Sequence, residues 1–290
     1  MSTDTPPQSG RLHYLGVLRF TGPDASSFLQ GQVSNDTRRI AAGQSLLAAY
    51  SSPQGRVLAL MHLLQHSTGI IAILPRDLAA PTSEALRRFV LRAKVKIEDA
   101  SDELTVSGHH GPRNAQSPAD GAATVGGDTQ RSWVIGSSEI GAKFQAEHQA
   151  SPAELDWRLA DIRAGLPQIY LATRETFVAQ MLNLDLLDGI SFTKGCYTGQ
   201  EIIARTQHLG RIKRRLYRLR LPAGEWLIGQ AIRLPDGRSG RLTEVVRNGD
   251  GSEALAVLNV QSQPDADSGD GDPAANTGVA ATQLPLPYQI

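Results

Sequence analysis

An α+β fold is the expectation for this chain, on three observations. Before residue 110, short strand-like runs are interrupted by single helical patterns rather than by a regular alternation. From Ile212 onward the pattern changes to short strands punctuated by Gly and Pro, which suggests a small antiparallel barrel or sandwich. A length of 290 residues, 40% hydrophobic and 20% charged, allows two or three compact domains and argues against a disordered chain.

Tyr14 to Phe20 alternates loosely and reads as the first strand. Gly22-Pro23-Asp24 then opens a short helix carrying Phe28 and Leu29, because Pro and Asp both suit a helix's first turn. Ser45 to Tyr50 reads as a strand, Ser52-Pro53-Gln54-Gly55 as a turn, and 56–64 and 69–74 as a strand pair. A helix from about Pro81 to Ala93 would place Leu86, Phe89, Val90 and Ala93 on one face. Short strands at 95–97 and 104–106 follow, then a surface excursion over 109–129, rich in Gly, Ala, Pro and Ser. Trp133 to Ile135 predicts a strand, and helices are expected over 138–147 and 152–163. The second begins Ser151-Pro152-Ala153-Glu154, a capping-box spacing, and turns Leu155, Leu159 and Ile162 to one side with Trp157 turned elsewhere. Strands at 212–221, 225–234, 239–247 and 253–260 complete the pattern. Residues 264–281 are acidic and of low complexity, and Leu284-Pro285-Leu286-Pro287-Tyr288 recovers enough apolar character to dock back.

Several functional classes drop out at once. No stretch approaches the roughly 18 apolar residues of a membrane span, and the polar start lacks a signal design, so an intracellular, cytoplasmic protein is expected. The single cysteine, Cys196, excludes an intrachain disulfide and a thiolate-rich zinc site. Nor can it hold an iron–sulfur cluster alone, so no stable metal or cluster is expected on the chain. Gly189 to Lys194 superficially resembles a phosphate loop, but its lysine precedes the last glycine and no Ser or Thr follows in place. His62 and His66 share a strand face without a carboxylate or thiol cluster, so they read as paired polar positions.

The densest signal is Lys194-Gly195-Cys196-Tyr197-Thr198-Gly199-Gln200-Glu201, with Arg205 a helical turn later. Gly195 and Gly199 flank the thiol and permit unusual backbone angles. The run from Gly199 to Leu209 is helical in character, so Cys196 would precede a helix N-terminus, where the dipole and nearby Lys194 favour thiolate. The competing reading is a packed cysteine beside a tight turn. A second charged feature lies between Arg205 and Arg220, with seven basic residues and no acidic one. It fits either the phosphates of RNA or the wet face of a strand.

The run around Cys196, with Arg205, closely resembles the signature of the YgfZ family of folate-binding proteins, relatives of the glycine-cleavage T-protein, an aminomethyltransferase. Collinear stretches agree: Phe28-Leu29-Gln30-Gly31-Gln32 with Asn35-Asp36, Ala164-Gly165-Leu166-Pro167, Asn183-Leu184, Gly189-Ile190-Ser191-Phe192 and the terminal Leu284–Tyr288 run. The resemblance implies three parts. A discontinuous folate-binding-like domain would span 1–50 and 103–207, with a ferredoxin-like α+β insert at 51–102 and a β-barrel at 208–290.

It further implies a tetrahydrofolate ligand and support of iron–sulfur enzymes or their assembly proteins, including one that thiomethylates tRNA. Cys196 would be the exchangeable or redox-sensitive group, with Lys194 and Arg205 supplying positive charge. Gly195 and Gly199 would shape the loop around Tyr197, and Gln200 and Glu201 would cap the next helix or bond the folate. Trp157 matches a family tryptophan and would stack on the pterin, while a second family tryptophan is replaced by Leu15, with Tyr14 adjacent. Two departures weigh against aminomethyl transfer. Apolar Ala59-Leu60 stands where the T-protein carries an acidic pair, and Arg163 where it carries a pterin-binding carboxylate. A one-carbon transferase on another substrate and an RNA-docking module using the Arg205–Arg220 stripe are the rival readings.

Overall fold

The computed structural model describes residues 9–110, 122–125, 128–137, 153–208, 210–260 and 278–290. Two compact units emerge: Met1–Tyr50, Ala59–Trp157 and Gly189–Thr198 in one, and Ser51–Leu58, Arg158–Asp188 and Gly199–Ile290 in the other.

The first unit is built on two antiparallel sheets. β1 (Ser9–Arg11), β7 (Leu104–His110), β8 (Ala122–Val125) and β9 (Asp128–Ser137) form one, in the order β1-β7-β9-β8. The other runs β3-β4-β5-β2-β6, from β2 (Leu15–Thr21), β3 (Leu46–Ser51), β4 (Val57–His66), β5 (Gly69–Pro75) and β6 (Lys96–Asp99). It therefore takes strands from both sides of residue 51. β4 is buried from Val57 to Leu64 without alternation, the mark of a strand covered on both faces. Ala59 and Leu60 lie within that run, fully buried.

Helix α1 (Ala25–Gln30) buries Phe28 and Leu29 as its sequence predicts. Helix α2 spans Arg76–Arg87, so it starts and ends earlier than the sequence suggests. The reason is packing: Leu78 and Ala79 are fully buried and draw the first turn onto the sheet, ahead of Pro81. Beyond Arg87 the chain turns away, and Phe89 is left 46% exposed.

The expected surface excursion over 109–129 instead contains the end of β7, all of β8 and the start of β9, the rest lying outside the described residues. Small and polar residues there disguise strands whose register is fixed by β9. The helix expected at 138–147 and the Ser151-Pro152 cap lie outside the described residues, as does the acidic segment up to 277.

Helix α3 (Ala153–Ala164) contradicts the expected face. Trp157 and Ile162 are fully buried, whereas Leu155 is 56% exposed. Trp157 wins because Gly108 makes room for it: a Cβ at Gly108 would stand 2.4 Å from the indole Cε3.

In the second unit, helix α4 (Gln200–His208) follows the cysteine segment in sequence. An antiparallel sheet runs β11-β12-β13-β10-β14, from β10 (Arg214–Leu221), β11 (Ala231–Arg233), β12 (Ser239–Asn248), β13 (Gly251–Asn259) and β14 (Thr282–Leu284). Its core is Leu219, Leu221, Ile232, Leu242, Ala254, Ala256 and Leu258. Among the described residues the sheet is open, with β11 and β14 at its edges, rather than the closed barrel expected. The C-terminus does dock back. β14 pairs with β10, and the Tyr288 hydroxyl donates to the Gly165 carbonyl at 2.8 Å.

Candidate functional site

The cysteine segment of the first unit is anchored by Lys194, which is buried. Its Nζ donates to three backbone carbonyls, Gln30 at 2.7 Å, Val33 at 2.7 Å and Asn35 at 2.8 Å. An ammonium has three N–H bonds, and all three are spent here. Desolvation pulls Lys194 down to about 8, opposed by the Asp36 carboxylate and assisted by Arg38. Tyr197 lies buried beside it, its ring centre 5.0 Å from Nζ, and burial pushes its phenol up to about 12.

The same region is tied by Ser34, whose Oγ donates to the Gly189 carbonyl at 2.6 Å and whose own carbonyl accepts from Ser191 N–H at 2.9 Å. The Phe28–Asp36 run and the Lys194 run, which the sequence could only set in order, are thus joined through main-chain carbonyls. No side-chain pattern signals such acceptors. Lys194 acts first as the tether of this loop.

Between the two fixed residues Lys194 and Tyr197, Gly195 and Cys196 are exposed. Gly195 does not need to be glycine for space: nothing lies within 4 Å of a Cβ placed there. Gly199 does, having φ +82° and a would-be Cβ 2.7 Å from the Ser52 carbonyl oxygen. In α4, Glu201 occupies the first turn, where its charge suits the helix dipole, and Arg205 is exposed. Ile203 is buried, and its carbonyl accepts from Gln180 Nε2 at 2.7 Å.

Trp157 sits in a nitrogen-rich core of the first unit. Trp133 lies 6.1 Å from it between ring centres, His110 5.1 Å, and the Arg131 guanidinium carbon 5.1 Å from its centre. His62 packs edge-on against Trp133 at 4.6 Å. Desolvation, with the charge of Arg131 adding, lowers His62 to about 3, so it is neutral at physiological pH. Among the described residues the Nε1 atoms of Trp157 and Trp133 and Nδ1 of His62 are buried without a hydrogen-bond partner. The sequence singled out Trp157 but missed Trp133 and His62 as its companions. Leu15 is buried in β2 and Tyr14 is half-buried.

The basic stripe of the second unit is partly neutralised. Arg215 grips Asp185 bidentately at 2.6 and 2.8 Å, Arg218 meets Glu253 at 2.6 Å and Arg220 meets Asp250 at 2.7 Å. Arg163 also pairs with Glu253, at 2.9 Å. Burial alone would raise Glu253, but the bonds from Arg163 and Arg218 outweigh it and hold the carboxyl below its ordinary range. Of the seven basic residues, Arg215 and Arg218 are committed to buried carboxylates, and Arg220 to the exposed Asp250.

Comparison with known proteins fits this picture. No family model matches the chain. It is 31% identical over 310 residues to the tRNA-modifying protein YgfZ of Shigella boydii, covering 94% of this chain and 91% of the relative. A YgfZ from Hamiltonella defensa is 29% identical over 286 residues, covering 87% and 83%. The glycine cleavage system aminomethyltransferase T of Bartonella henselae superposes with a TM-score of 0.66 at 15% identity, covering 88% of this chain and 79% of that one. That likeness shows a shared fold. The chain belongs to the YgfZ family.

Among the described residues, no helix is long and apolar enough to cross a membrane, and no group of three His, Cys, Asp or Glu side chains could hold a metal ion.

Proposed function

We propose that this YgfZ-family chain binds a tetrahydrofolate and supports the assembly or repair of iron–sulfur enzymes, and through them the thiomethylation of tRNA, in the cytoplasm. Membership of a family whose relatives are called tRNA-modifying proteins carries the role in tRNA modification. The three-part division into residues 1–50 with 103–207, 51–102 and 208–290 belongs to the same reading, with Cys196 as the exchangeable or redox-sensitive group.

For the folate, the carrying observation is the set of buried ring nitrogens on Trp157, Trp133 and His62 that lack partners among the described residues. A buried donor left unmade costs roughly 1–3 kcal/mol. A pterin edge, rich in acceptor nitrogens and a carbonyl, is chemistry that would satisfy the two indole N–H groups. That donor chemistry is what supports the folate reading. Trp157 would hold the ring, and Arg131 and His110, which cover the indole, would have to move for it to enter. Bound folate would supply a reduced one-carbon carrier or a redox-active ring. Lys194 and Gly199 would keep the Cys196 segment presented. Aminomethyl transfer itself is disfavoured, because Ala59 and Leu60 are buried hydrocarbon and can move no proton.

Calorimetric titration with tetrahydrofolate tests the reading. Trp157→Phe keeps a ring and removes the N–H, and is expected to weaken binding roughly tenfold, as one lost hydrogen bond of about 1.4 kcal/mol would. No binding to the wild-type chain, or an unchanged isotherm in the variant, would contradict it.

A further inference from the structure

The sequence directs attention to the Arg205–Arg220 stripe as the place where nucleic acid could dock, yet the fold commits two of its seven cations, Arg215 and Arg218, to buried ion pairs and leaves no exposed Phe, Tyr or Trp ring among its described residues. Another basic surface lies in the first unit, where a helix was expected. From the end of α2 into the first residue of β6 the chain reads Arg88-Phe89-Val90-Leu91-Arg92-Ala93-Lys94-Val95-Lys96, without an acidic residue. Phe89 is 46% exposed and Leu91 87%. Arg88, Arg92, Lys94 and Lys96 are exposed as well. Arg92 and Lys94 pair with no carboxylate among the described residues. Arg88 lies a loose 3.7 Å from Glu84, both side chains being about three-quarters exposed, and such a pair contributes little. Lys96 meets Glu98 at 2.7 Å.

The loop is nonetheless fixed. Phe89 and Val90 N–H close turns onto the carbonyls of Leu86 and Arg87. Arg87 Nε and Nη2 both donate to the Ile97 carbonyl, at 3.0 and 2.8 Å, and Asp24 Oδ2 accepts from Lys94 N–H at 2.6 Å. Exposed apolar side chains on a loop anchored at both ends incur little ordering cost on contact, which is the economy of a preformed binding surface.

We propose that this 88–96 loop is an RNA-docking surface, its cations meeting phosphates while Phe89 stacks on an unpaired base and Leu91 packs beside it. An aromatic face interleaved with unpaired long cations is the chemistry that tracks a flexible nucleic-acid strand. An acidic protein surface would match the charge, but it has less use for the aromatic face. The inference goes beyond the proposed function, which works through client enzymes and requires no contact between this chain and RNA.

The test is fluorescence anisotropy of the full chain with labelled unfractionated bacterial tRNA across a salt series. Wild-type affinity is expected to fall steeply with salt. Arg92→Glu with Lys94→Glu should weaken binding at least tenfold and flatten the log–log salt slope by roughly 1.4, two phosphate contacts at about 0.7 each. Phe89→Ala should weaken it roughly tenfold with the slope unchanged. Arg211→Glu with Lys213→Glu, at two exposed cations of the other stripe, should weaken it clearly less than Arg92→Glu with Lys94→Glu, and an equal or larger loss there overturns the proposal.

Circular dichroism confirms that each variant is folded. Tetrahydrofolate titration of the same variants, expected to match wild type, keeps failure of the folate reading distinct from failure of this one. Absence of tRNA binding at low salt overturns the proposal, as does wild-type affinity in Arg92→Glu/Lys94→Glu or in Phe89→Ala. Displacement of tRNA by polyglutamate at equal charge also overturns it, because that marks a plain ion-exchange surface.

Discussion

Lys194→Met is expected to lower stability by on the order of 3–5 kcal/mol, read as a fall in the urea midpoint at constant slope. Methionine fills the space of the stem but donates nothing. The carbonyls of Gln30, Val33 and Asn35 would lose their shared donor in a region where Val33 and Asn35 are fully buried. A buried acceptor stripped of its partner keeps its desolvation penalty without compensation, and three such groups add to a large fraction of a domain's net stability. Cys196→Ala, at an exposed position, should stay within about 0.5 kcal/mol of wild type. A loss under about 1 kcal/mol in Lys194→Met would mean that the cation is not the tether of the cysteine segment.

Acid should destabilise the protein through His62. The imidazole has an ordinary value of 6.5 and is lowered to about 3 by burial and by Arg131, so between those values the unfolded chain binds a proton that the folded chain does not. Its contribution is therefore complete above about 6.5 and is lost progressively as pH falls toward 3. At about pH 5 the loss amounts to roughly 2 kcal/mol from this one group. Buried Glu253, held low by its arginines, is lost only as pH falls through its own depressed range, so it contributes at the acid end of the same profile. His62→Met, similar in volume and adaptable in packing, should remove most of the slope between pH 7.5 and 5. Urea unfolding of both proteins at the two pH values decides it: parallel losses would show that His62 does not carry the acid sensitivity.

Much of the α+β framework was legible because it depends on local pattern. The β4–β5 hairpin, the short helix around Phe28 and Leu29 and three of the four C-terminal strands follow from alternation, turn residues and first-turn chemistry, whereas of the strand expected over 225–234 only Ala231–Arg233 forms. The misses are where tertiary contact overrides the local signal. Pro81 marks a helix start in isolation, yet burial of Leu78 and Ala79 begins α2 at Arg76. Trp157 looked turned away from the apolar side of its helix, but Gly108, about fifty positions earlier, opens a space that only the indole fills. Strands β8 and β9 run through a Gly- and Ala-rich stretch whose composition mimics a loop, and their pairing is long-range information.

The candidate site shows the same division. Cys196, Gly199 and Lys194 stand out in the sequence, but the acceptors of Lys194 are main-chain carbonyls that side-chain patterns do not encode. The basic run after Arg205 is visible as charge, whereas the pairing of Arg215, Arg218 and Arg220 with Asp185, Glu253 and Asp250 depends on folding.

On the proposed function, the exposed thiol of Cys196, between Lys194 and Tyr197, is the group through which this chain would support iron–sulfur enzymes. The most direct test of that claim is the methylthiolated fraction of tRNA, measured by mass spectrometry of nucleosides. The measurement is made under oxidative stress in cells lacking the gene and carrying wild type or Cys196→Ala at equal protein level. The wild-type gene is expected to restore the modification, and the alanine variant to leave it near the level of the empty vector. Equal restoration by the two genes would contradict the claim.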